Sequence, residues 1–303
     1  MNAISVQNVS KNYEKVAALK LINLEINQGE LFGLIGPDGA GKTTLFRILT
    51  TLILPDTGKA LVVGNDVVKD YKAIRNQVGY MPGRFSLYQD LTVEENLTFF
   101  ATVFNTTIKE NYYLIEDIYK QIEPFKKRKA GNLSGGMKQK LALCCALIHK
   151  PTVLFLDEPT TGVDPVSRKE FWEMLKKLIQ QGITIFVSTP YMDEASLCDR
   201  IALIQHGEIL RVETPGNIIK EYPVALYSAE SDNNYELLKQ LRKNPVVSSV
   251  YMFGETLHIT FKGNPDTSIP NLKQITPMVE DCFIQLLTEQ KNNGTGNSDG
   301  ATH

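Results

Sequence analysis

The stretch GPDGAGKTT, residues 36–44, decides the fold of this 303-residue chain. It matches the pattern G-x-x-x-x-G-K-[ST], follows the apolar run ELFGLIG and opens a segment with helical periodicity. Glycines there let backbone N–H groups turn towards phosphate oxygens, and the helix N-terminus adds partial positive charge. The sequence therefore predicts a nucleotide-binding phosphate loop. It consists of Gly36, Pro37, Asp38, Gly39, Ala40, Gly41, Lys42, Thr43 and Thr44.

Two side chains of this loop have predicted roles in chemistry. Lys42 is expected to reach the β and γ phosphates of a nucleotide, and the Thr43 hydroxyl is expected to ligate Mg²⁺. The other interpretation is a glycine-rich turn that carries an exposed lysine. The full match between an apolar strand and a helix favours nucleotide binding.

A second apolar run, VLFLDEP (153–159), ends in two acids. Ligands of α/β sheets bind at the carboxyl ends of the strands, where these acids would lie. Asp157 suits Mg²⁺, directly or through water, and Glu158 suits polarising the water that attacks the γ-phosphate. Alone the acids would fit a solvated strand end. After a phosphate loop they predict a hydrolytic site whose catalytic residues are Glu158 and Lys42.

The motif LSGGMKQK places two glycines at a helix start. Glycine destabilises helices, so Gly135 and Gly136 indicate a use for bare backbone. Ser134 suits the N-cap, and the three residues together predict a second anion-binding helix start. For this motif alone, a glycine-assisted turn into a packed helix stays an open alternative.

Composition restricts the class of protein. Hydrophobic residues make up 43% and charged residues 22%, which suffices for a buried core. The formal net charge of −2, with no basic block, disfavours a nucleic-acid binder. The four cysteines lack metal-ligand spacing, no signal-peptide pattern is present, and the apolar runs are shorter than the roughly 20 residues of a membrane span. We expect a soluble chain.

Buried strands alternate with helical segments, which predicts an α/β fold with a doubly covered parallel sheet. Residues 1–30 predict antiparallel strands, and about 84–150 predict a helical insertion. We expect a nucleotide-binding domain over 1–221, a small α+β domain over 222–291 and a disordered tail over 292–303.

The motifs GPDGAGKTT, LSGGMKQK, VLFLDEPT and TGVDP occur in an order and spacing that resemble the ATP-binding subunit of ABC transporters, over about residues 3–215. MVEDCFIQLL, GRFSLYQDLTVEENL and STPYMDEA resemble the drug-exporter subgroup of the daunorubicin-resistance type. The resemblance implies a P-loop NTPase (ABC ATPase) fold with an antiparallel β subdomain, a helical subdomain and a C-terminal α+β appendage.

The resemblance also implies how the site is assembled. In the family two domains pair head to tail, with each ATP between the phosphate loop of one and the signature helix start of the other. Tyr13 would then stack on adenine. Ser134, Gly135 and Gly136 would contact the γ-phosphate across the interface, and Asp164 of TGVDP would link the two sites.

The function implied by the resemblance is ATP-driven export. The expected cofactors are ATP and Mg²⁺, and the expected partners are a second ABC ATPase copy, identical or different, and one or more membrane permease subunits. The chain would be cytoplasmic and peripheral on the inner face of the cell membrane. The alternative function is a hydrolysis-impaired or regulatory half of a heterodimer. A protein acting on ribosomes or DNA is disfavoured by the single cassette and by the lack of a net positive charge.

Two positions depart from the family pattern. Gly83 stands where a glutamine is usual, and Pro190 stands where a histidine contacts the γ-phosphate. Proline has neither an N–H nor a polar side chain, so it cannot donate that hydrogen bond. Losing one such donor costs about 2.7–4 kcal/mol of transition-state stabilisation. We therefore expect intact ATP binding and dimer closure with reduced hydrolysis.

Three explanations of these departures stay open on the sequence alone. The chain can be the degenerate half of a heterodimer. Glu158, Lys42 and Mg²⁺ can suffice for slow turnover. Alternatively, Thr189, Arg84 or Gln89 can compensate for the missing groups.

Overall fold

The computed structural model describes residues 1–294 and the side chains of residues 1–289. The chain divides into two compact units, the first ending at Pro215 and the second starting at Gly216. This division lies slightly before the boundary expected at residue 221, because most of a short helix that follows Thr214 belongs to the second unit.

The first unit contains both strands and helices. The strands are β1 (Asn2–Tyr13), β2 (Val16–Asn27), β3 (Leu31–Ile35), β4 (Thr57–Val62), β5 (Asn65–Asp66), β6 (Val78–Met81), β7 (Val153–Asp157), β8 (Thr184–Thr189), β9 (Arg200–Gln205) and β10 (Glu208–Glu213). The helices are α1 (Lys42–Leu49), α2 (Tyr71–Gln77), α3 (Val93–Val103), α4 (Tyr112–Ile122), α5 (Gly135–Leu147) and α6 (Pro165–Gln180). Short 3-10 turns cover Glu123–Phe125, Ala130–Asn132 and Met192–Leu197.

A six-stranded sheet in the order β10-β9-β3-β8-β7-β6 forms the centre of the first unit. Its strands run parallel except β10, which pairs antiparallel to β9. Every residue of β3, β7 and β8 is buried, as expected for strands covered on both faces. The carboxyl ends of these three neighbouring strands lead into the phosphate loop, the two acids and Pro190. The predicted functional segments therefore meet at one sheet edge.

A second sheet, in the order β2-β1-β4-β5, is antiparallel and carries Tyr13 at the end of β1. Helices α3, α4 and α5 form the helical segment predicted for about 84–150. The start of α3 is fixed by a capping box between Thr92 and Glu95. Asn96, fully buried, holds the preceding loop by accepting from Tyr88 N (3.0 Å) and donating to Tyr88 O (3.0 Å).

The second unit is a small α+β fold. Its elements are α7 (Pro215–Lys220), β11 (Leu226–Ala229), α8 (Asn234–Leu241), β12 (Val247–Phe253), β13 (Thr256–Phe261), β14 (Lys273–Ile275) and α9 (Val279–Gly294). The antiparallel sheet has the order β12-β13-β11-β14. Residues 292–294, predicted to be disordered, continue α9, and the rest of the predicted tail lies outside the described residues.

No helix within residues 1–294 is both long and apolar enough to span a bilayer.

Candidate functional site

The phosphate loop needs glycine at two positions because other backbone passes too close for a side chain. A Cβ on Gly36 would lie 2.2 Å from Ile204 O. Gly41 has φ +109°, and a Cβ there would lie 2.5 Å from Ala18 O. Gly36 N also donates to Thr189 O at 3.3 Å, which ties the loop to the end of β8. The loop is thus packed closely against β2 and β9 and hydrogen-bonded to the end of β8.

Lys42 is the buried cation of the loop, with 3% of its side chain exposed. Its Nζ donates to Gly36 O at 2.8 Å and to Pro37 O at 3.0 Å. The same Nζ forms an ion pair with Glu158 Oε1 at 3.0 Å. An incoming phosphate would take the position of this carboxylate at the ammonium group.

The predicted Mg²⁺ ligands are brought together. The Thr43 hydroxyl donates to Asp157 Oδ1 at 3.2 Å, and Asp157 is almost fully buried. Ser188 Oγ donates to the same carboxylate oxygen at 2.7 Å. One carboxylate and one hydroxyl beside a phosphate site are a donor set that fits Mg²⁺, which keeps several ligands from water and phosphate. Ser188 was not predicted as part of this site, because its contact with Asp157 depends on the pairing of two strands that are distant in the sequence.

Glu158 is held in an uncommon backbone conformation. Its φ of +51° lies in the left-handed region, which costs a non-glycine residue about 1–3 kcal/mol. Its N–H donates to Ser188 O at 3.0 Å and to Ser188 Oγ at 3.1 Å, which stabilises this turn. The turn directs the carboxylate back to Lys42, and 22% of the side chain stays exposed.

A cavity of about 600 Å³ lies between the phosphate loop and the β1–β2 hairpin. Tyr13 lines it together with Lys42, Thr43 and Glu158, so the structure brings the predicted adenine-stacking residue to the phosphate loop. Three further residues with ionisable side chains line the same cavity and were not predicted from the sequence: Lys15, Lys20 and His206.

The signature helix start lies apart from this cavity and does not line it. Ser134 caps α5 by accepting from Met137 N at 3.4 Å. A Cβ on Gly136 would lie 2.8 Å from Ser167 Oγ, so glycine lets α5 approach the start of α6. Ser134 and Gly135 are exposed. One chain therefore has two separate glycine-containing helix starts of the kind that can bind anions.

Asp164 caps α6 rather than reaching the cavity of its own chain. Its Oδ1 accepts from Ser167 N at 3.0 Å. Hydrogen bonds from the backbone and side chain of Ser167 lower the pKa of Asp164. The carboxylate is exposed, and the serine that it caps also lies next to Gly136 of the signature motif.

The two departures from the family pattern lie beside the site. A Cβ on Gly83 would start 3.0 Å from Asp157 O, so this position adjoins the predicted Mg²⁺ ligand. Arg84 and Gln89 follow on the same loop, are exposed and do not line the nucleotide cavity.

Pro190 follows β8, and the preceding hydroxyl cannot replace a histidine donor. Thr189 Oγ1 donates to Glu194 Oε2 at 2.5 Å and accepts from Tyr191 N at 3.0 Å. Its one hydroxyl hydrogen is therefore already used. The hydroxyl is thus committed to a buried acid five residues further along the chain, which argues against Thr189 as the compensating donor.

Comparisons with known proteins agree with this geometry. A sequence model of the family described as ABC transporter matches residues 19–161. Nod factor export ATP-binding protein I of Rhizobium sp. (strain N33) is 34% identical over 296 residues, covering 94% of this chain and 96% of that protein. The chain belongs to the family of ABC transporter ATP-binding proteins.

A second relative of this ABC protein is longer than the chain itself. The probable multidrug ABC transporter ATP-binding protein YbhF of Escherichia coli (strain K12) is 40% identical over 284 residues, which covers 89% of the chain. The chain spans about half of that relative, 49% of its length.

Solved ABC cassettes share the fold. The cbiO1 structure from Clostridium perfringens, described as part of the ABC transporter complex cbiONQ, matches with a TM-score of 0.65 and 28% identity, covering 73% of the chain and 91% of cbiO1. The cassette MJ0796, solved as a dimer in a post-hydrolysis state bound to ADP and Pi, matches with a TM-score of 0.64 and 28% identity, covering 70% and 98%. The predicted P-loop NTPase (ABC ATPase) fold is confirmed.

Proposed function

We propose that this chain is the ATP-binding and ATP-hydrolysing subunit of an ABC exporter that works through a separate membrane permease. The observation that carries the proposal is the single cavity lined by Tyr13, Lys42, Thr43 and Glu158. The relatives support export as the process, since one is named for multidrug transport and another for Nod factor export.

The residues divide the chemistry as follows. Lys42 binds the β and γ phosphates, while Thr43 and Asp157 would hold Mg²⁺, which supplies charge neutralisation on the phosphates when bound. Once phosphate occupies the Lys42 ammonium, the Glu158 carboxylate is free to accept a proton from water. That water oxygen bonds to the γ-phosphorus as the bond from the γ-phosphorus to the bridging oxygen breaks, which yields ADP and phosphate.

A second copy completes the site in this proposal. The exposed start of α5, with Ser134, Gly135 and Gly136, is an anion-binding terminus remote from the chain's own cavity. Two copies placed head to tail would each offer this terminus and Asp164 to the other's ATP. ATP then favours the closed dimer because it has more contacts in that state.

The permease would dock in a separate apolar groove of the first unit. This cavity of about 480 Å³ is lined by residues from α3, α5 and β6, with exposed Leu52 and Val103 at its rim. An exposed apolar patch of this kind is typical of an interaction surface. The carboxyl half of α5 lines the groove and its amino end carries the signature glycines, while β6 leads to Gly83. A helix of the permease in this groove would therefore contact elements that reach both parts of the ATP site.

Phosphate release by the purified chain tests the enzymatic part of the proposal, with Lys42→Ala as the inactive control. We expect slow release of phosphate that requires ATP and Mg²⁺. A dimer that ATP stabilises without any phosphate release would instead favour the regulatory half of a heterodimer, the function to which Pro190 points. Purification of the tagged chain from membranes tests the transport part, and a permease should co-purify.

A further inference from the structure

Glu194 is a buried carboxylate to which the proposed mechanism assigns no role. It lies in the 3-10 turn Met192–Leu197, and only 2% of its side chain is exposed. Its Oε1 accepts from Thr160 Oγ1 at 2.8 Å and from Arg168 Nε and Nη2 at 3.1 and 3.0 Å. Its Oε2 accepts from Thr189 Oγ1 at 2.5 Å. A buried carboxylate is tolerated only with such partners, and a fully satisfied network of this kind is rigid.

Two of these partners belong to the segment that carries the catalytic acid and the interface acid. Thr160 lies between Glu158 and Asp164, and its carbonyl accepts from Val163 N at 3.2 Å. Arg168 lies in the first turn of α6, and its N–H donates to Asp164 O at 2.9 Å. Glu194 thus holds both ends of the segment that runs from just after Glu158 to the first turn of α6.

The third partner belongs to the segment that carries Pro190. Thr189 is the last residue of β8, and its carbonyl accepts from Gly36 N, the first residue of the phosphate loop, at 3.3 Å. On the other side of Pro190, Tyr191 N donates to Thr189 Oγ1 at 3.0 Å, and the Tyr191 ring lies 4.3 Å from the Arg168 guanidinium. Both neighbours of Pro190 are therefore held by the same network.

We propose that Glu194 is a positioning residue for ATP-driven dimer closure: it fixes the Pro190 segment against the Asp164 segment. A continuous path runs from Gly36 of the phosphate loop through Thr189 and Glu194 to Arg168 and Asp164. When phosphate occupies the loop, this path carries the effect to Asp164, the exposed acid that faces the second copy. The inference rests on the proposed function, because it assumes that closure brings Asp164 to a partner.

The first test uses full-length chains that carry Glu158→Gln, so that hydrolysis does not reverse closure. ATP is titrated, and the fraction of dimer is measured by size-exclusion chromatography with light scattering. Adding Glu194→Gln removes the charge that pairs with Arg168 and places an amide donor in a cluster of donors. We expect the ATP concentration for half-maximal dimerisation to rise at least tenfold, while ADP binding to the single chain changes less than twofold.

The matched control is Asp193→Asn. It makes the same change of charge one residue away, and Asp193 contacts the same Arg168 at 3.3 Å, but its side chain is 75% exposed. Its dimerisation midpoint should stay within twofold of the background. An unchanged midpoint for Glu194→Gln, or an equal loss of ADP binding that reports local unfolding, would overturn the proposal.

A second pair of variants separates positioning from general stability. Thr189→Val removes the hydroxyl at nearly constant shape, and Thr189→Ser keeps it. The valine variant should reproduce the defect of Glu194→Gln and the serine variant should not; equal midpoints for the two would overturn the role of the network. If the Glu158→Gln chain itself fails to dimerise at saturating ATP, closure as proposed is wrong and the role of Glu194 is lost with it.

Discussion

The ion pair between Lys42 and Glu158 makes a quantitative prediction about nucleotide affinity. In the structure the carboxylate lies 3.0 Å from the ammonium, and ATP has to displace it to reach the same cation. Glu158→Gln keeps a hydrogen bond from the ammonium to a neutral amide oxygen but removes the attraction between the two charges. An ion pair with a partly exposed carboxylate contributes about 1 kcal/mol. The variant therefore lowers the cost of displacement by about 1 kcal/mol, or roughly fivefold in affinity.

Isothermal titration of ATP into dilute protein, where the single chain predominates, measures this difference. Asp38→Asn is the matched control, because Asp38 is also an acid near the Lys42 ammonium, at 3.9 Å, but its side chain is 88% exposed. Solvent screens such a contact, so its removal should change the affinity less than twofold. ATP binding by Glu158→Gln that is equal to or weaker than that of the unaltered chain would refute the competition. The same variant should release no phosphate.

Three further predictions concern the departure from the family pattern, the groove and pH. Pro190→His should raise phosphate release by up to about 10²–10³-fold by restoring a donor, whereas Pro190→Ala should not, and an unchanged histidine variant would show that this position does not limit the rate. Val103→Asp, at the groove rim, should abolish co-purification of a permease, whereas Val166→Asp, at a more exposed valine on α6, should not; equal recovery with both would exclude the groove. Burial lowers the pKa of His149. Its Nε2–H donates to Val78 O at 3.0 Å, and protonation of the ring would add a proton to the buried Nδ1. Neutral His149 therefore contributes to the free energy of unfolding, and this contribution is complete above about pH 6.5. The contribution is lost as pH falls towards the folded pKa, by up to about 1.4 kcal/mol per pH unit. Denaturant unfolding from pH 7.5 to 5 should show a smaller pH dependence for His149→Gln, and an identical slope would contradict this assignment.

Contiguous stretches of sequence allowed the phosphate loop and the two acids to be predicted. Lys42 and Thr43 occupy one motif, and Asp157 and Glu158 end one apolar strand, so their chemistry can be inferred from neighbours in the chain. The parallel sheet could be predicted for the same reason, since β3, β7 and β8 are short apolar runs bounded by turn residues.

Contacts between distant segments could not be predicted in this way. Ser188 reaches Asp157 only because β7 and β8 pair in parallel register, with these two residues opposite each other. His206 lines the cavity because the β9–β10 turn packs on the phosphate loop, where Gly207 N donates to Ala40 O at 3.0 Å. Such contacts depend on tertiary register, which hydrophobic periodicity does not encode.

The end of α9 shows a different limit of prediction from sequence. Residues 292–294 were expected to be disordered because KNNG is polar, but they continue α9. The apolar residues that start this helix lie well before its end, and a helix once nucleated extends through polar residues at little cost. The end of a helix is therefore less predictable than its existence.

The central claim is that ATP joins two chains through the phosphate loop of one and the signature helix start of the other. The most direct measurement is the mass in solution of the Glu158→Gln chain with ATP, compared with the same chain carrying Ser134→Glu, by light scattering. We predict that ATP doubles the mass of the first from 33.9 kDa. The second should stay a single chain, because its added carboxylate opposes the partner's phosphate, and should bind ATP with unchanged affinity. A single chain in both cases, or a dimer in both, would contradict the claim.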